Sequence, residues 1–225
     1  MDSYVHGTSS TPLSGKTIGA AFDDIAETFA EREALVVCDQ NVRWTYAELK
    51  RRVDVLAANL VDIGFHAGDR VGIWAPNRAE WVVAQFATAK AGLILVNVNP
   101  AYRPSELEFA LNKVGCQGLI VEPAFKTSDY IGMLQELAPE LATQQPGKLQ
   151  LERLPQLHTL ISLGEDPLGG FLNYSALMAD PSPQALTALK QRAATLQFDE
   201  PINIQFTSGT TGLPKAATLT HHNIL

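Results

Sequence analysis

Between Thr207 and Lys215 the chain reads TSGTTGLPK: Thr207, Ser208, Thr210 and Thr211 supply hydroxyls, Gly209 and Gly212 supply freedom, and a proline–lysine pair follows. The glycines take backbone conformations closed to other residues and let the main chain approach an anion. Successive backbone N–H groups in such a loop form an anion-binding concavity. The hydroxyls are rotatable donors, Lys215 adds a full positive charge, and Pro214 stiffens its approach. This donor set suits a nucleotide triphosphate held during displacement at one phosphorus, where a donor aimed at developing charge is worth about 3 kcal/mol. Solvent loops rich in Ser, Thr and Gly are common; six such residues set between an apolar strand and Pro-Lys are not. The spacing is not that of a Walker loop, and no GxGxxG follows a strand anywhere.

The elements that position this loop read as strand–helix–strand alternation. A helix runs from Thr17 with Ile18, Phe22, Ile25 and Phe29 on one face. ALVVC (34–38) is a strand that DQN turns back through VRW as a hairpin. TYAEL opens the clearest helix: Thr45 and Glu48 form a capping box, Gly64 follows the last turn, and Leu49, Val53, Leu56, Leu60 and Ile63 make one apolar stripe. RVGIWA (70–75) is a strand. Asn77 with Glu80 predicts a second capping box, on a helix through Ala91 that is apolar nearly all round and so buried. LILVNV (93–98) is a strand, SELEFALNKVG a helix closed by Gly115, and GLIVE (118–122) another strand. Pro139 to about Leu154 reads as an irregular surface excursion. LHTLISL (157–163) resumes the sheet, Gly164–Gly170 is a loop, and helices cover YSALMA and PQALTALKQRA. INIQF (202–206) is the strand that delivers the loop. Near-continuous apolar strands alternating with helices predict an α/β fold, mostly parallel sheets flanked by helices. Ligands in such folds sit at the carboxyl ends of strands.

Composition narrows the function. The 225 residues are 46% apolar and 18% charged, which excludes disorder. The net charge of −7 excludes a nucleic-acid binder that depends on a basic face. Cys38 and Cys116 stand far apart with no metal-ligand spacing and read as two buried free thiols. The longest apolar run, AGLILV, is too short for a transmembrane segment. Residues 1–16 are polar, with neither an apolar signal core nor an Arg-rich transit pattern, and read as a disordered leader; the expected location is cytoplasmic.

Other candidates weigh less. His221 and His222 are adjacent and point about 100° apart on a helix, so they cannot clamp one metal from one face; a packing or loop-supporting role is expected for His221. Trp74, Trp81 and Phe86 fall in apolar patterns and are expected in the core. Asp23 with Asp24, and Glu106 with Glu108, read as solvated faces. Tyr102 stands in the loop after a strand, within reach of a ligand, and is unassigned.

FTSGTTGLPKAATLTHHN resembles the phosphate-binding signature of the adenylate-forming enzymes, which include acyl-CoA synthetases, luciferases and peptide-synthetase adenylation domains. One departure is Ala216, where that family usually has Gly. EREALVV, TYAELKRRVDVLAANL, GDRVGIWAPNRAEWVVAQFATAKAG and VNVNPAYRPSELEFALNKVGC extend the resemblance back to about Thr17, and it looks closest to the medium-chain branch of the fatty acyl-CoA synthetases. The resemblance implies that a fatty carboxylate attacks the α-phosphorus of Mg·ATP to give acyl-AMP and pyrophosphate, and that the coenzyme A thiol then displaces AMP. It implies that Thr207, Ser208, Gly209, Thr210, Thr211, Gly212 and Lys215 hold the ATP phosphates, with Thr207 as the Mg2+ contact.

The chain stops at Leu225, and the family's acidic magnesium residue, ribose aspartate, adenine pocket, hinge and C-terminal domain with its catalytic lysine have no counterpart in it. Residues 17–225 are thus expected to be an incomplete N-terminal part of an AMP-binding domain, inactive alone, with no catalytic residue assigned. Its partners are small molecules: ATP, a fatty acid and coenzyme A. Aryl- or amino-acid adenylation is the alternative within the family. A non-catalytic half-domain needing a partner chain is the alternative outside it.

Overall fold

The structure is a computed structural model that describes Ser10, residues 13–207 and residues 214–225. Its elements in chain order begin with α1 (Ile18–Thr28), β1 (Glu33–Val37), β2 (Val42–Thr45), α2 (Tyr46–Asp62), β3 (Arg70–Trp74), α3 (Ala79–Lys90), β4 (Ile94–Asn97), α4 (Pro104–Val114) and β5 (Gly118–Val121). A short hairpin of β6 (Ala124–Phe125) and β7 (Ser128–Asp129), then α5 (Tyr130–Leu137) and β8 (Thr159–Ser162) follow. The chain continues through β9 (Phe171–Asn173), α6 (Tyr174–Leu177), α7 (Pro183–Ala193), β10 (Pro201–Thr207), β11 (Lys215–Thr220) and α8 (His221–Ile224).

Among the described residues the main sheet has seven strands in the order β11-β10-β4-β3-β5-β8-β9. All neighbours are parallel except the edge pair β10–β11. The expected α/β fold with a mostly parallel sheet is therefore present. Strand residues alternate between two cores, as a pleated sheet covered on both faces requires. Ile94, Val96, Leu119, Val121, Leu160 and Ile204 face α4 and α5. Val71, Ile73, Leu95, Ile120 and Ile161 face α2 and α3.

Local chemistry explains several elements. In α2 the Thr45 side chain accepts from Glu48 N while Glu48 accepts from Thr45 N, the predicted capping box. α4 stops at Gly115, whose φ of 60° is left-handed. The β1–β2 hairpin also forms, through a single 3-10 turn at Cys38–Gln40.

Other expectations are corrected. α3 starts at Ala79 without an Asn77 box; the Ala79 N–H instead donates to Gln40 Oε1 at 2.7 Å, from the β1–β2 turn. Ile25 and Ile63 are exposed, because the apolar stripes they extend reach past the helices that cover α1 and α2. The stretch from Pro139 to Leu154 is irregular, but Leu141, Leu149, Leu151 and Leu154 are buried in the α4/α5-side core. Both cysteines are free, yet only Cys116 is buried; Cys38 lies exposed in the tight turn. Burial pushes the Cys116 thiol up to about 12. Asp23 is not a solvated residue: it pairs with Lys90 at 2.7 Å and Lys50 at 3.0 Å, and Asp54 pairs with both lysines. Asp24 and Glu106 are exposed as expected, Glu106 accepting from Arg103 N, and Glu108 receives two surface hydrogen bonds from Arg153. Among the described residues no helix is long and apolar enough to cross a membrane.

Candidate functional site

β10 runs parallel to β4, so Thr207 lies at the carboxyl edge of the sheet, where the residues after β3, β4 and β5 also emerge. β11 returns antiparallel along β10, and the last rung of that ladder pairs Thr207 with Lys215. Directly opposed residues in such a ladder have Cα atoms about 4.5–5.5 Å apart and project to the same face. The two ends of the hydroxyl-rich segment are thus held together, and Thr207 and Lys215 are both exposed on one side. Ser208, Gly209, Thr210, Thr211 and Gly212 lie outside the described residues. β11 itself is not predicted by the sequence, because KAATLT has neither a continuous apolar run nor clean alternation; its pairing with β10 makes it a strand.

The next rung pairs Phe206 with Ala216, and both pack on the α4/α5-side core. Ala216, the position of the departure from the resembling signature, therefore contributes its methyl group to packing.

The loop after β4 is tied down by aromatic donors. The Trp74 indole N–H donates to Asn99 O at 3.1 Å, and the Tyr130 hydroxyl donates to Pro100 O at 2.8 Å. The two rings stack with centroids 4.1 Å apart. Asn99 also receives Tyr102 N at 3.0 Å through its carbonyl and Ala101 N at 2.9 Å through its side chain. Tyr102, unassigned from sequence, is 9% exposed and meets Phe206 edge-on at 6.4 Å. Burial raises its phenol above the ordinary tyrosine value, and the charge of Glu106 adds to that. Trp74 and Phe86 do pack in or against the core, but Trp74 also fastens this loop.

Strand order reverses between β3 and β5, the place where open α/β sheets usually leave a ligand crevice. Here Arg78 pairs with Glu122 across the two strand ends and donates to Glu80 at 2.7 Å. Burial works to raise Glu80, but hydrogen bonds from Arg78 and Gln40 outweigh it and hold the carboxyl below the ordinary range.

The histidines sit at the other end. β11 carries the chain roughly 17–20 Å away from Lys215 before α8 begins. His221 is 1% exposed and its Nδ1 accepts the Ile18 N–H at 3.0 Å, which anchors the start of α1. Burial lowers its pKa, and Glu200 opposes that shift. A packing role is what this geometry provides. Among the described residues no group of three or more His, Cys, Asp or Glu could hold a metal ion.

A mostly parallel sheet covered by helices on both faces, with Thr207 and Lys215 paired at its carboxyl edge, defines an α/β protein. The chain belongs to the AMP-binding enzyme family, whose model matches residues 22–225. It is 48% identical over 223 residues to the medium-chain acyl-CoA ligase ACSF2, mitochondrial, of Rattus norvegicus, and 47% identical to that of Homo sapiens. Both alignments cover 99% of this chain and 36% of the relative, so the chain spans little over a third of the length of these relatives. Solved structures agree on the fold. The anthranilate CoA ligase AuaEII in complex with anthranoyl-AMP has a TM-score of 0.75 at 22% identity, covering 94% of this chain and 36% of that one. The Mycobacterium smegmatis MbtA apo structure has 0.73 at 24%, covering 94% and 35%. The rat and human relatives are named as mitochondrial, which overturns the cytoplasmic expectation; that expectation rested on features the leader lacks, not on any it has.

Proposed function

We propose that the chain is the N-terminal part, residues 17–225, of an ATP-dependent acyl-CoA synthetase acting on medium-chain fatty acids, and that its share of the reaction is to hold the ATP phosphates. The observation that carries this reading is the terminal rung Thr207–Lys215, which places a hydroxyl and a cation side by side at a strand's carboxyl end. Ser208, Gly209, Thr210, Thr211 and Gly212 complete the proposed contacts. Lys215 neutralises charge on the β- and γ-phosphates, and the hydroxyls and backbone N–H groups orient them for attack at the α-phosphorus. Thr207 fits Mg2+ as a single hard oxygen ligand, with phosphate oxygens supplying others, the usual manner of Mg2+ in nucleotide sites. The chemistry a Mg2+ ion held by Thr207 would supply is charge neutralisation on the triphosphate. Coenzyme A enters as the acyl acceptor in the second step. The 47–48% identity to medium-chain ligases supports a fatty acid over an aryl or amino acid. The mitochondrial relatives support a mitochondrial location.

Titration of the 225-residue chain with Mg·ATP and with Mg·tripolyphosphate tests the site. Lys215→Ala should weaken both by about 10- to 100-fold, the size of one charge-assisted contact. Equal binding by wild type and Lys215→Ala would remove Lys215 from the site. The chain alone should release no pyrophosphate on addition of a fatty acid, since it spans so small a share of its relatives; carboxylate-dependent release would refute that.

A further inference from the structure

We infer that Tyr102 is a positioning residue for the strand end that carries Thr207 and Lys215, setting where the proposed phosphate contacts stand relative to the loop after β4. Tyr102 is held on both sides. Behind it, Trp74 and Tyr130 donate into the consecutive carbonyls of Asn99 and Pro100, and the Tyr102 N–H returns to Asn99 O. Ahead of it, α4 begins within two residues, with Pro104 at its first turn and Glu106 closing onto Arg103 N. A side chain projecting from so constrained a backbone has little freedom, and its ring meets Phe206 at 69°, edge to face.

Phe206 is the residue before Thr207, and its cross-strand partner Ala216 is the residue after Lys215. Both lie on the face where Tyr102 packs, whereas Thr207 and Lys215 project to the opposite face by strand alternation. Tyr102 thus acts on the backbone of both hairpin legs from behind, without touching the ligand side. β10 pairs with β4 only as far as Gln205–Asn97, so past that point the hairpin has no ladder on its β4 side. The Tyr102–Phe206 contact sits where the ladder stops.

The functional consequence rests on the polyphosphate reading above; the positional one does not. Hydrogen exchange of the 225-residue chain tests the second and Mg·tripolyphosphate titration the first. Tyr102→Ala should speed exchange at residues 206–207 and 215–216 by roughly 3- to 10-fold, the factor an edge-on aromatic pair is worth, and leave β8 unchanged. Its affinity for Mg·tripolyphosphate should fall by a similar factor, and Tyr102→Phe should restore both. If Tyr102→Ala loosens β8 as well, Tyr102→Leu, which keeps most of the volume and loses the ring edge, takes its place. Exchange unchanged at the hairpin, or raised equally in β8 in the Leu variant too, marks a plain core residue and overturns the inference. The expected exchange difference between Tyr102→Ala and wild type, with no binding of Mg·tripolyphosphate by wild type, would sink the polyphosphate reading and leave the positional one standing.

Discussion

Lys90 gives the sharpest test of how the helical layer is held. It ends α3 with a side chain only 8% exposed, between Asp23 of α1 at 2.7 Å and Asp54 of α2, while Lys50 reaches the same two carboxylates at 3.0 and 2.7 Å. Lys90→Met keeps the apolar stem, which lies over Gly19, and removes the buried charge. Breaking a fully buried pair costs about 3–5 kcal/mol, because the partner is left uncompensated. Here each aspartate is about a third exposed and keeps Lys50, so roughly half of that applies, about 2 kcal/mol. For a chain of this length that is a fall in Tm of about 4–8 °C. Urea and thermal unfolding followed by circular dichroism would measure it. The double variant Lys90→Met/Asp54→Asn removes one of the stranded carboxylates and should recover part of the loss. A single variant within about 0.5 kcal/mol of wild type, or a double variant less stable than the single, would show that orphaned charge is not what costs stability at this junction.

Two further tests address other junctions. His221 accepts the Ile18 N–H through Nδ1 and must be neutral to do so; its folded pKa lies below the unfolded value of about 6.5, so the unfolded chain binds the proton first as pH falls. The urea midpoint should therefore hold above about pH 6.5 and drop below it, and His221→Gln should flatten that dependence; equal slopes would rule the histidine out. Gln40→Ala removes the side chain that caps α3 and should cost about 1 kcal/mol in the same assay, the usual worth of a lost N-terminal cap, whereas Asn77→Ala should cost nearly nothing.

Much of the architecture is legible from residues alone because it is locally determined. α2 carries its start, stripe and stop within twenty residues, and β3, β4, β5 and β8 announce themselves as short apolar runs. What fails depends on distant partners. Asn77 and Glu80 have capping-box spacing, but the cap comes from Gln40, folded against Ala79 through the β1–β2 turn. Leu149, Leu151 and Leu154 lie in no regular pattern and are buried because the sheet face beneath them is otherwise open. Asp23 looks solvated until Lys90, 67 residues on, is brought to it. At the candidate site, the residue types of Thr207–Lys215 are what suggest an anion, but Lys215–Thr220 becomes a strand only through the β10 ladder. Tyr102 carries one signal, an aromatic just past a strand's carboxyl end, and its partner Phe206 is too far along the chain for spacing to reveal.

The position of β10 in the sheet bears on how the protein is made. β4 is paired on one side by β3, which precedes it, but on the other by a strand whose matching residue, Asn203 for Leu95, comes 108 positions later. During synthesis at about 5–20 residues per second, the open side of β4 waits some 5–20 seconds for its neighbour. Its N–H and C=O groups and apolar side chains are meanwhile available to any extended segment, which is the condition for mispairing and aggregation. β10 closes that side of β4 but opens an edge of its own, which β11 then covers, so the sheet is finished only by the last strand of the described chain.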